Sequence, residues 1–194
     1  MGGHGATRWI FLRHGESVAN AAGWFSGWED VALTPRGEEQ ARAAGLALLE
    51  VPIGRCLVSD LDRARQTARL ALAGRAVPIH TLGELRERHM GELQREVIAA
   101  CTADGRRERY LLPWHEGPPR GESRATAVRR ALAALRHWDD GTPTLVVGHG
   151  SVLRGVLAVF DGMGPDGLGP DGLQASPPTP NAEPIVRTGP VPFL

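Results

Sequence analysis

Short apolar runs alternate with longer amphipathic segments along this chain. Runs of bulky apolar residues are typical of buried strands, and apolar residues repeated at helical spacing are typical of helices packed on one face. The pattern predicts strands at Trp9–Leu12, Cys56–Val58, Val77–Thr81, Thr144–Val147 and Ile185–Arg187. It predicts helices from Thr34 to about Leu49, from Asp62 to Leu72, from Ser123 to His137 and from Ser151 to Phe160. Strands that alternate with helices indicate an α/β fold with a mainly parallel sheet.

Length and composition favour one domain over residues 1–194. The chain has 194 residues, of which 42% are hydrophobic and 23% charged, values close to those of ordinary globular domains. Gly and Pro dominate residues 161–182, where a pentapeptide occurs twice, at Gly164–Leu168 and Gly169–Leu173. We expect a flexible loop there, because five residues are too few for a structural repeat. We expect residues 188–194 to form a loose tail.

The charged residues narrow the possible partners. The formal net charge is zero, and all 22 basic residues are arginine. A balanced charge argues against a general nucleic-acid binder, which needs excess positive charge for the phosphate backbone. Without lysine the chain cannot form a Schiff base or a P-loop. Its cations suited to phosphate are therefore planar, bidentate guanidinium groups.

The sequence carries no signal for a membrane or for secretion. No apolar run approaches the length of about 18 residues that a membrane-spanning helix needs, and the N-terminus lacks the pattern of a signal peptide. Cys56 and Cys101 fit no metal-binding spacing and are typical of reduced thiols. We therefore expect a cytoplasmic protein without membrane contact. The sequence makes no prediction of oligomeric state.

Two of the predicted strands end in the same dipeptide, His14-Gly15 and His149-Gly150. In an open parallel sheet, ligands bind beyond the carboxyl ends of the strands, so neighbouring strands would turn both histidines toward one site. Each glycine lets the backbone approach a ligand closely. The helix predicted to begin near Ser151 would direct free N–H groups at the same place, which suits an anion.

Arginines next to these strand ends strengthen the prediction of a phosphate site. Arg13 precedes the first histidine, and Arg63 follows another predicted strand. The alternatives are histidines that only form hydrogen bonds in the core, a zinc site, and a serine hydrolase. Carboxylate or thiolate ligands at zinc spacing are missing, so we expect no bound metal. The GxSxG motif of many hydrolases is also missing, because His149 stands two residues before Ser151.

Longer motifs surround these residues. They are Leu12-Arg-His-Gly-Glu-Ser17 with Asn20, Gly27-Trp28, Asp30-Val-Ala-Leu-Thr-Pro-Arg-Gly37, Ser59-Asp-Leu-Asp-Arg-Ala-Arg-Gln-Thr-Ala68, Leu85-Arg-Glu-Arg-His-Met-Gly91, Gly121-Glu-Ser123 and Gly148-His-Gly150. In this order they cover about residues 7 to 160, and the chain resembles the histidine phosphatase superfamily, also called the phosphoglycerate mutase-like family. The resemblance implies a three-layer α/β/α sandwich around a mainly parallel sheet.

The resemblance also implies roles for ten residues. His14 is implied as the nucleophile, Arg13, Arg63 and His149 as the phosphate-binding groups, Glu87 as the general acid, Asn20 and Gly150 as further phosphate contacts, and Ser26, Gly27 and Arg88 as contacts to the rest of the substrate. Spacing alone does not choose among Glu84, Glu87 and Glu92; the family pattern selects Glu87. The neutral imidazole of His14 is the form that attacks, and nearby guanidinium charge favours it.

The superfamily contains phosphatases and mutases, and the sequence carries signals of both. Ser26–Asp30 and Glu87–His89 look mutase-like, whereas Arg65–Ala68 looks phosphatase-like. The mutases carry a longer insertion after the Glu-Arg-His segment, which helps to keep water from the phosphohistidine. Here only about thirty residues lie between that segment and Gly121. Arg106–Arg109 either replace some charges of the missing lid or form a solvated helix face, and we favour the solvated face.

These observations predict an enzyme that uses neither a metal nor a cofactor. We expect a phosphatase that hydrolyses a small phosphomonoester through a phosphohistidine on His14. The first alternative is a phosphoglycerate mutase that depends on a bisphosphate cofactor. The second is a phospholigand-binding protein without catalytic activity.

Overall fold

The computed structural model describes residues 6–111, 113–163 and 179–193. Its strands are β1 (Arg8–Arg13), β2 (Arg55–Ser59), β3 (Ile79–Leu82), β4 (Thr144–Gly148) and β5 (Ile185–Thr188). Its α-helices are α1 (Val18–Ala22), α2 (Pro35–Ala47), α3 (Asp62–Ala71), α4 (Ile98–Ala103), α5 (Arg106–Leu111), α6 (Arg124–His137) and α7 (Gly150–Phe160). All five predicted strands and all four predicted helices are present, with ends shifted by up to two residues.

The sheet places the two His-Gly strands side by side. Its strand order is β3-β2-β4-β1-β5, with β5 antiparallel to β1 and every other pair parallel. In the β1–β4 pair Arg13 lies opposite Gly148, so His14 and His149 follow neighbouring strand ends. The prediction that both histidines face one site therefore agrees with the topology.

The central strands are buried on both faces, as expected for parallel strands covered by helices on each side. Trp9 and Phe11 of β1 pack in one core cluster with residues of α6 and α7. Ile10 and Leu12 point to the opposite face and pack with residues of α2 and α3. This arrangement confirms the predicted three-layer α/β/α sandwich.

Helix α2 begins as its sequence predicts. Thr34 is its N-cap and accepts a hydrogen bond from the amide of Gly37 at 3.0 Å, and Pro35 occupies the first helical position. The backbone of this first turn packs directly on the loop after β1. A Cβ atom added to Gly15 would lie 2.3 Å from the Gly37 carbonyl oxygen. Glycine at position 15 therefore lets the loop after β1 pack against α2.

The C-terminal segments differ from the sequence expectation. The repeated pentapeptide and most of the predicted Gly/Pro-rich loop lie outside the described residues. The predicted loose tail is wrong for residues 189–192, whereas Phe193 is 86% exposed. Val191 is 3% exposed and its amide donates to Asp139, while the Gly189 carbonyl accepts from the indole of Trp9. These contacts hold the segment after β5 against the α6 side of the sheet.

The sequence pattern missed three short helices, α1, α4 and α5. Each has five or six residues, too few to show an amphipathic repeat. Helices α4 and α5 enclose a third core cluster, which contains Met90, Leu93, Cys101 and Leu111, with Phe25 and Tyr110 packed against it. Cys56 and Cys101 are both free and buried. Among the described residues no helix is long and apolar enough to cross a membrane.

Candidate active site

His14 lies at the end of β1 with its ring held in one orientation. The side chain is 4% exposed, and Nδ1 lies 2.7 Å from the carbonyl oxygen of Gly15. Because a carbonyl can only accept, Nδ1 carries the proton in this hydrogen bond. The neutral ring therefore has its lone pair on Nε2.

Burial and neighbouring charge keep this imidazole neutral. The pKa of His14 lies well below its ordinary value, first because of burial and then because of the guanidinium charges of Arg63 and Arg13. The sequence predicts that arginine charge lowers the pKa of His14, but burial is the larger cause.

His149 follows β4 and faces His14. Its ring centroid lies 5.1 Å from that of His14, and the side chain is completely buried. Nε2 is 2.8 Å from the hydroxyl of Ser59, which accepts a hydrogen bond from the amide of Leu61. When the Ser59 hydroxyl donates to Nε2, the ring proton lies on Nδ1, which has no partner among the described residues.

Arg13 and Arg63 each contribute a buried donor to the same place. Nη1 of Arg13 donates to the carbonyl of Thr179, and the two terminal nitrogens of Arg63 donate to the carbonyls of Gly27 and Glu29. Nε of each guanidinium is buried without a partner in the described part of the chain. Burial lowers the pKa of Arg63 to about 10, so this side chain remains a cation at neutral pH. Buried donors without partners are costly unless a ligand accepts from them.

Glu87 lies at the opposite side of the site, against the start of α7. One carboxylate oxygen accepts from the amide of Arg88 at 2.8 Å, and the other accepts from the amide of Ser151 at 3.1 Å. Ser151 belongs to the first turn of α7, where free N–H groups favour an anionic partner. The carboxyl group of Glu87 is thus fixed between its own loop and the helix that follows His149.

A side-chain network holds the Glu87 loop from behind. The Trp28 indole donates to the Glu87 carbonyl at 2.6 Å, and Arg130 donates to the carbonyls of Glu84 and Arg86. Arg130 also pairs with Glu122 at 2.9 Å. Sequence reasoning assigned no role to Arg130, because no spacing or motif shows that α6 reaches this loop.

The residues after the Gly/Pro-rich segment form one wall of the site. The Asn181 side chain donates to the His14 carbonyl at 2.7 Å, and the Ala182 amide donates to the Arg13 carbonyl at 2.9 Å. Together with the Thr179 contact to Arg13, these bonds join the segment to the end of β1. No pattern in the sequence predicts a role for this segment.

A cleft of about 420 Å³ opens beside these residues. It is lined by Arg13, Phe25, Glu87, Arg107, Arg124, Gly150, Ser151, Arg154 and Thr179. Arg107 lies on α5 and is exposed, in line with the predicted solvated helix face, and it also lines the cleft. Gly150 must be small here, because a Cβ atom would lie 3.0 Å from Nε of Arg13.

Besides His14, Arg63 and His149, four of the ten predicted residues are absent from the cleft lining. Asn20 lies in the first turn of α1 and completes a capping box with the N-cap Ser17, whose amide donates to the Asn20 side-chain oxygen. Ser26 and Gly27 lie in the loop that Arg63 holds, and Gly27 is buried with φ of 48°. Arg88 is 1% exposed, and its guanidinium donates to the carbonyls of Tyr110, Leu111, Glu116 and Glu122. The structure therefore gives Arg88 a role in fixing the loops around α5, in place of the expected substrate contact.

The described residues contain no group of three or more His, Cys, Asp or Glu side chains arranged to hold a metal ion. Positive charge at the site comes from guanidinium groups instead, with Arg13 and Arg63 nearest to His14.

The two buried histidines predict a fold that loses stability in mild acid. Burial is the first cause that holds the pKa of each below 6.5, and guanidinium charge is the next. The unfolded chain then binds more protons than the folded one below about pH 6.5. We expect the free energy of unfolding to be level above pH 7 and to fall below pH 6.5, by about 1.4 kcal/mol per pH unit for each proton.

Urea unfolding at pH 7.5 and pH 5.5 measures this effect. A His137→Gln variant, which lacks an exposed histidine, is expected to keep the same pH dependence as the natural chain. Equal unfolding free energies at the two pH values would contradict the prediction.

The α/β/α sandwich, with histidines, arginines and a carboxylate gathered at the carboxyl ends of its central strands, is typical of an enzyme acting on phosphate esters. Comparison with known proteins identifies the group. The model of the histidine phosphatase superfamily (branch 1) matches residues 9–173, and the chain belongs to this superfamily of enzymes.

Similar proteins include both mutases and phosphatases. The chain is 36% identical over 169 residues to the 2,3-bisphosphoglycerate-dependent phosphoglycerate mutase 2 of Gloeobacter violaceus, covering 81% of this chain and 77% of the relative. It is 35% identical over 156 residues to the adenosylcobalamin/alpha-ribazole phosphatase of Salmonella typhimurium, covering 77% of each. Among solved structures, Bacillus stearothermophilus YhfR matches with a TM-score of 0.83 and 28% identity, covering 93% of this chain and 90% of that chain. A mycobacterial glucosyl-3-phosphoglycerate phosphatase matches with a TM-score of 0.80 and 25% identity, covering 94% and 97%.

Proposed function

We propose that this protein is a phosphatase that moves the phosphoryl group of a small phosphomonoester to His14 and then to water. The observation that carries the proposal is the set of buried groups without partners near the His14 side chain. Nε of Arg13, Nε of Arg63 and Nδ1 of His149 can each donate to one phosphoryl oxygen. Phosphoryl transfer depends on this kind of positioned charge, because the transition state spreads charge over three equatorial oxygens.

In the first step, the lone pair on Nε2 of His14 attacks phosphorus, and the bond from phosphorus to the ester oxygen breaks. Glu87 gives its proton to that leaving oxygen, so the alcohol departs as a neutral molecule. In the second step, water attacks the phosphohistidine and passes a proton to the Glu87 carboxylate. The phosphorus–nitrogen bond breaks, its electron pair returns to Nε2, and inorganic phosphate leaves.

The short segment between Glu87 and Gly121 supports hydrolysis over mutase action. It contains two helices of six residues each, α4 and α5. A mutase must keep water from the phosphohistidine until a second acceptor binds. A small lid beside an open cleft gives water access to the intermediate.

The free, buried thiols of Cys56 and Cys101 support the further proposal of a reducing compartment such as the cytoplasm.

A direct comparison of the two reactions tests this proposal. The protein is incubated with 3-phosphoglycerate and 2,3-bisphosphoglycerate in the presence of EDTA, and phosphate release and 2-phosphoglycerate formation are measured together. A panel of other phosphomonoesters is assayed for phosphate release under the same conditions. We expect phosphate release to exceed interconversion and to persist in EDTA, because guanidinium groups supply the charge. Interconversion well above phosphate release would favour a mutase, and binding without either reaction would favour a phospholigand-binding protein.

A further inference from the structure

The Glu87 loop, residues 84–89, has little regular structure of its own. A short 3₁₀ helix ends at Leu85, and residues 86–90 belong to neither a helix nor a strand. The polar backbone groups of such a segment need partners from elsewhere in the fold. The position of the Glu87 carboxyl group therefore depends on the side chains that bind this backbone.

One ion pair binds four backbone groups of the loop. Nitrogens of Arg130 donate to three of its carbonyls, those of Glu84, Arg86 and Glu87, at 2.6, 3.2 and 3.4 Å. The carboxylate of Glu122 accepts from the amide of His89 at 2.9 Å. Two parallel hydrogen bonds, of 3.2 and 2.9 Å, join the guanidinium of Arg130 to the carboxylate of Glu122. The pair thus holds the loop on both sides of Glu87.

Trp28 gives the Glu87 carbonyl a second donor. Its indole N–H donates to this oxygen at 2.6 Å, alongside Arg130. The indole ring is held in turn by the loop. The guanidinium of Arg86 lies 4.7 Å from the ring centroid, and the His89 ring meets the indole edge-on with centroids 4.8 Å apart. The backbone next to the Glu87 side chain is therefore fixed from two directions.

Helix α6 gives Arg130 a rigid base. The residues that flank it on the buried face of α6 are at most 1% exposed; they are Ala127, Val128, Ala131 and Leu132. The side chain of Arg130 does not line the cleft, so it does not touch a ligand bound there. A support on a packed helix holds a functional group more precisely than a loop does.

We propose that Arg130, joined to Glu122, is a positioning residue of the reaction, which fixes the Glu87 loop so that the carboxyl group faces the leaving oxygen. The inference rests on the proposed function, because it takes Glu87 as the general acid. Proton transfer needs the acid within hydrogen-bond reach of that oxygen. A displacement of about 1 Å can lower the rate by about 100-fold.

The charge of Arg130 has a separate effect, which one variant can preserve. Burial is the first cause that lowers the pKa of His149, and the charge of Arg130 adds to it after that of Arg63. Arg130→Lys keeps a positive charge but removes the planar guanidinium that reaches several carbonyls at once. This variant therefore tests the positioning of the loop apart from the charge.

Turnover of two ester types tests the positioning role. In Arg130→Lys we expect kcat/KM for an alkyl phosphate to fall by about 10-fold to 100-fold, because the acid is misplaced. For p-nitrophenyl phosphate, whose phenolate leaves without a proton, we expect kcat/KM to fall by less than about 3-fold. The control is Arg129→Gln, at an exposed position of α6, which should leave both values unchanged. Equal losses on the two esters, or full activity of Arg130→Lys on both, would overturn the proposal.

A double variant shows whether Arg130 acts through Glu87. In the Glu87→Gln background, Arg130→Lys should lower kcat/KM for the alkyl phosphate by less than about 2-fold more, because an acid that is absent cannot be misplaced. A further loss as large as in the natural chain would contradict the proposal. Trp28→Phe removes one donor to the same carbonyl and keeps an aromatic ring. It should show the same ester dependence, and it serves as the test if Arg130→Lys does not fold.

Amide exchange separates failure of this role from failure of the proposed function. The amides of Arg88 and Ser151 donate to the two carboxylate oxygens of Glu87, so their hydrogen exchange reports where that carboxyl group lies. By NMR without substrate, we expect exchange at both amides to be at least about 10-fold faster in Arg130→Lys, with exchange at the core amide of Leu145 unchanged. This result supports the positioning role even if the natural chain releases phosphate from no ester. Unchanged exchange at both amides overturns it whatever the turnover shows.

Discussion

Replacing His14 with alanine is expected to reduce phosphate release by a factor on the order of 10⁴ or more, because the variant has no nucleophile for the first step. The structure leaves Nε2 of this ring as the free atom, since Nδ1 is engaged with the Gly15 carbonyl. The measurement is phosphate release from the best ester of the panel, together with a quenched reaction that uses labelled substrate. We expect an acid-labile, alkali-stable phosphoprotein in the natural chain and none in the variant.

An exposed histidine provides the control. His137→Ala removes an imidazole from the end of α6, and we expect it to keep full activity and the labelled intermediate. Labelled protein in the His14→Ala variant would place the phosphoryl group on another residue and contradict the mechanism. Full activity without a labelled intermediate in either protein would point to direct attack by water.

Replacing Glu87 with glutamine is expected to have an effect that depends on the leaving group. For an alkyl phosphate, which needs a proton on the departing oxygen, kcat/KM should fall by about 10² to 10⁴-fold. For p-nitrophenyl phosphate, whose phenolate leaves without a proton, we expect kcat/KM to fall by less than about 10-fold. The reason is that kcat/KM reports the first chemical step, in which this leaving group needs no general acid. Glutamine has one acceptor oxygen, so it can keep one of the two contacts to the amides of Arg88 and Ser151.

The neighbouring acids give matched controls. Glu84→Gln and Glu92→Gln remove exposed carboxylates from the same stretch, and neither residue lines the cleft. Both variants should keep their activity on alkyl and aryl esters. Equal losses on the two ester types in the Glu87 variant would argue for an electrostatic role without proton transfer. A larger loss of activity in either control would indicate that the general acid is another residue than Glu87.

The sequence predicted the parts of this structure that depend on local pattern. Runs of apolar residues identified every strand, and Thr34 with Pro35 marked the start of α2. The His-Gly dipeptides after β1 and β4 predicted that His14 and His149 lie at one site, because neighbouring parallel strands end at the same edge of a sheet. These inferences succeed because each depends on a short segment and a general rule of packing.

The contacts that complete the site join distant segments and leave no pattern in the sequence. Ser59 forms a hydrogen bond with His149 from another strand, and Trp28 and Arg130 hold the Glu87 loop through backbone carbonyls. Every residue has a backbone carbonyl that can accept a hydrogen bond, so the residue type of the acceptor does not reveal such a contact in the sequence. Arg88 shows the converse, because a family position suggested substrate contact while the fold directs its guanidinium to four carbonyls.

The anchoring of residues 179–182 to the nucleophile strand bears on how substrate preference can diverge. Asn181 and Ala182 bond to the backbone of His14 and Arg13, so the chain returns to the site at a fixed position after α7. Insertions or deletions between α7 and Thr179 need not move the catalytic groups, because both flanking segments are held independently. This part of the gene can therefore change in length while His14 and Arg13 keep their positions in the site.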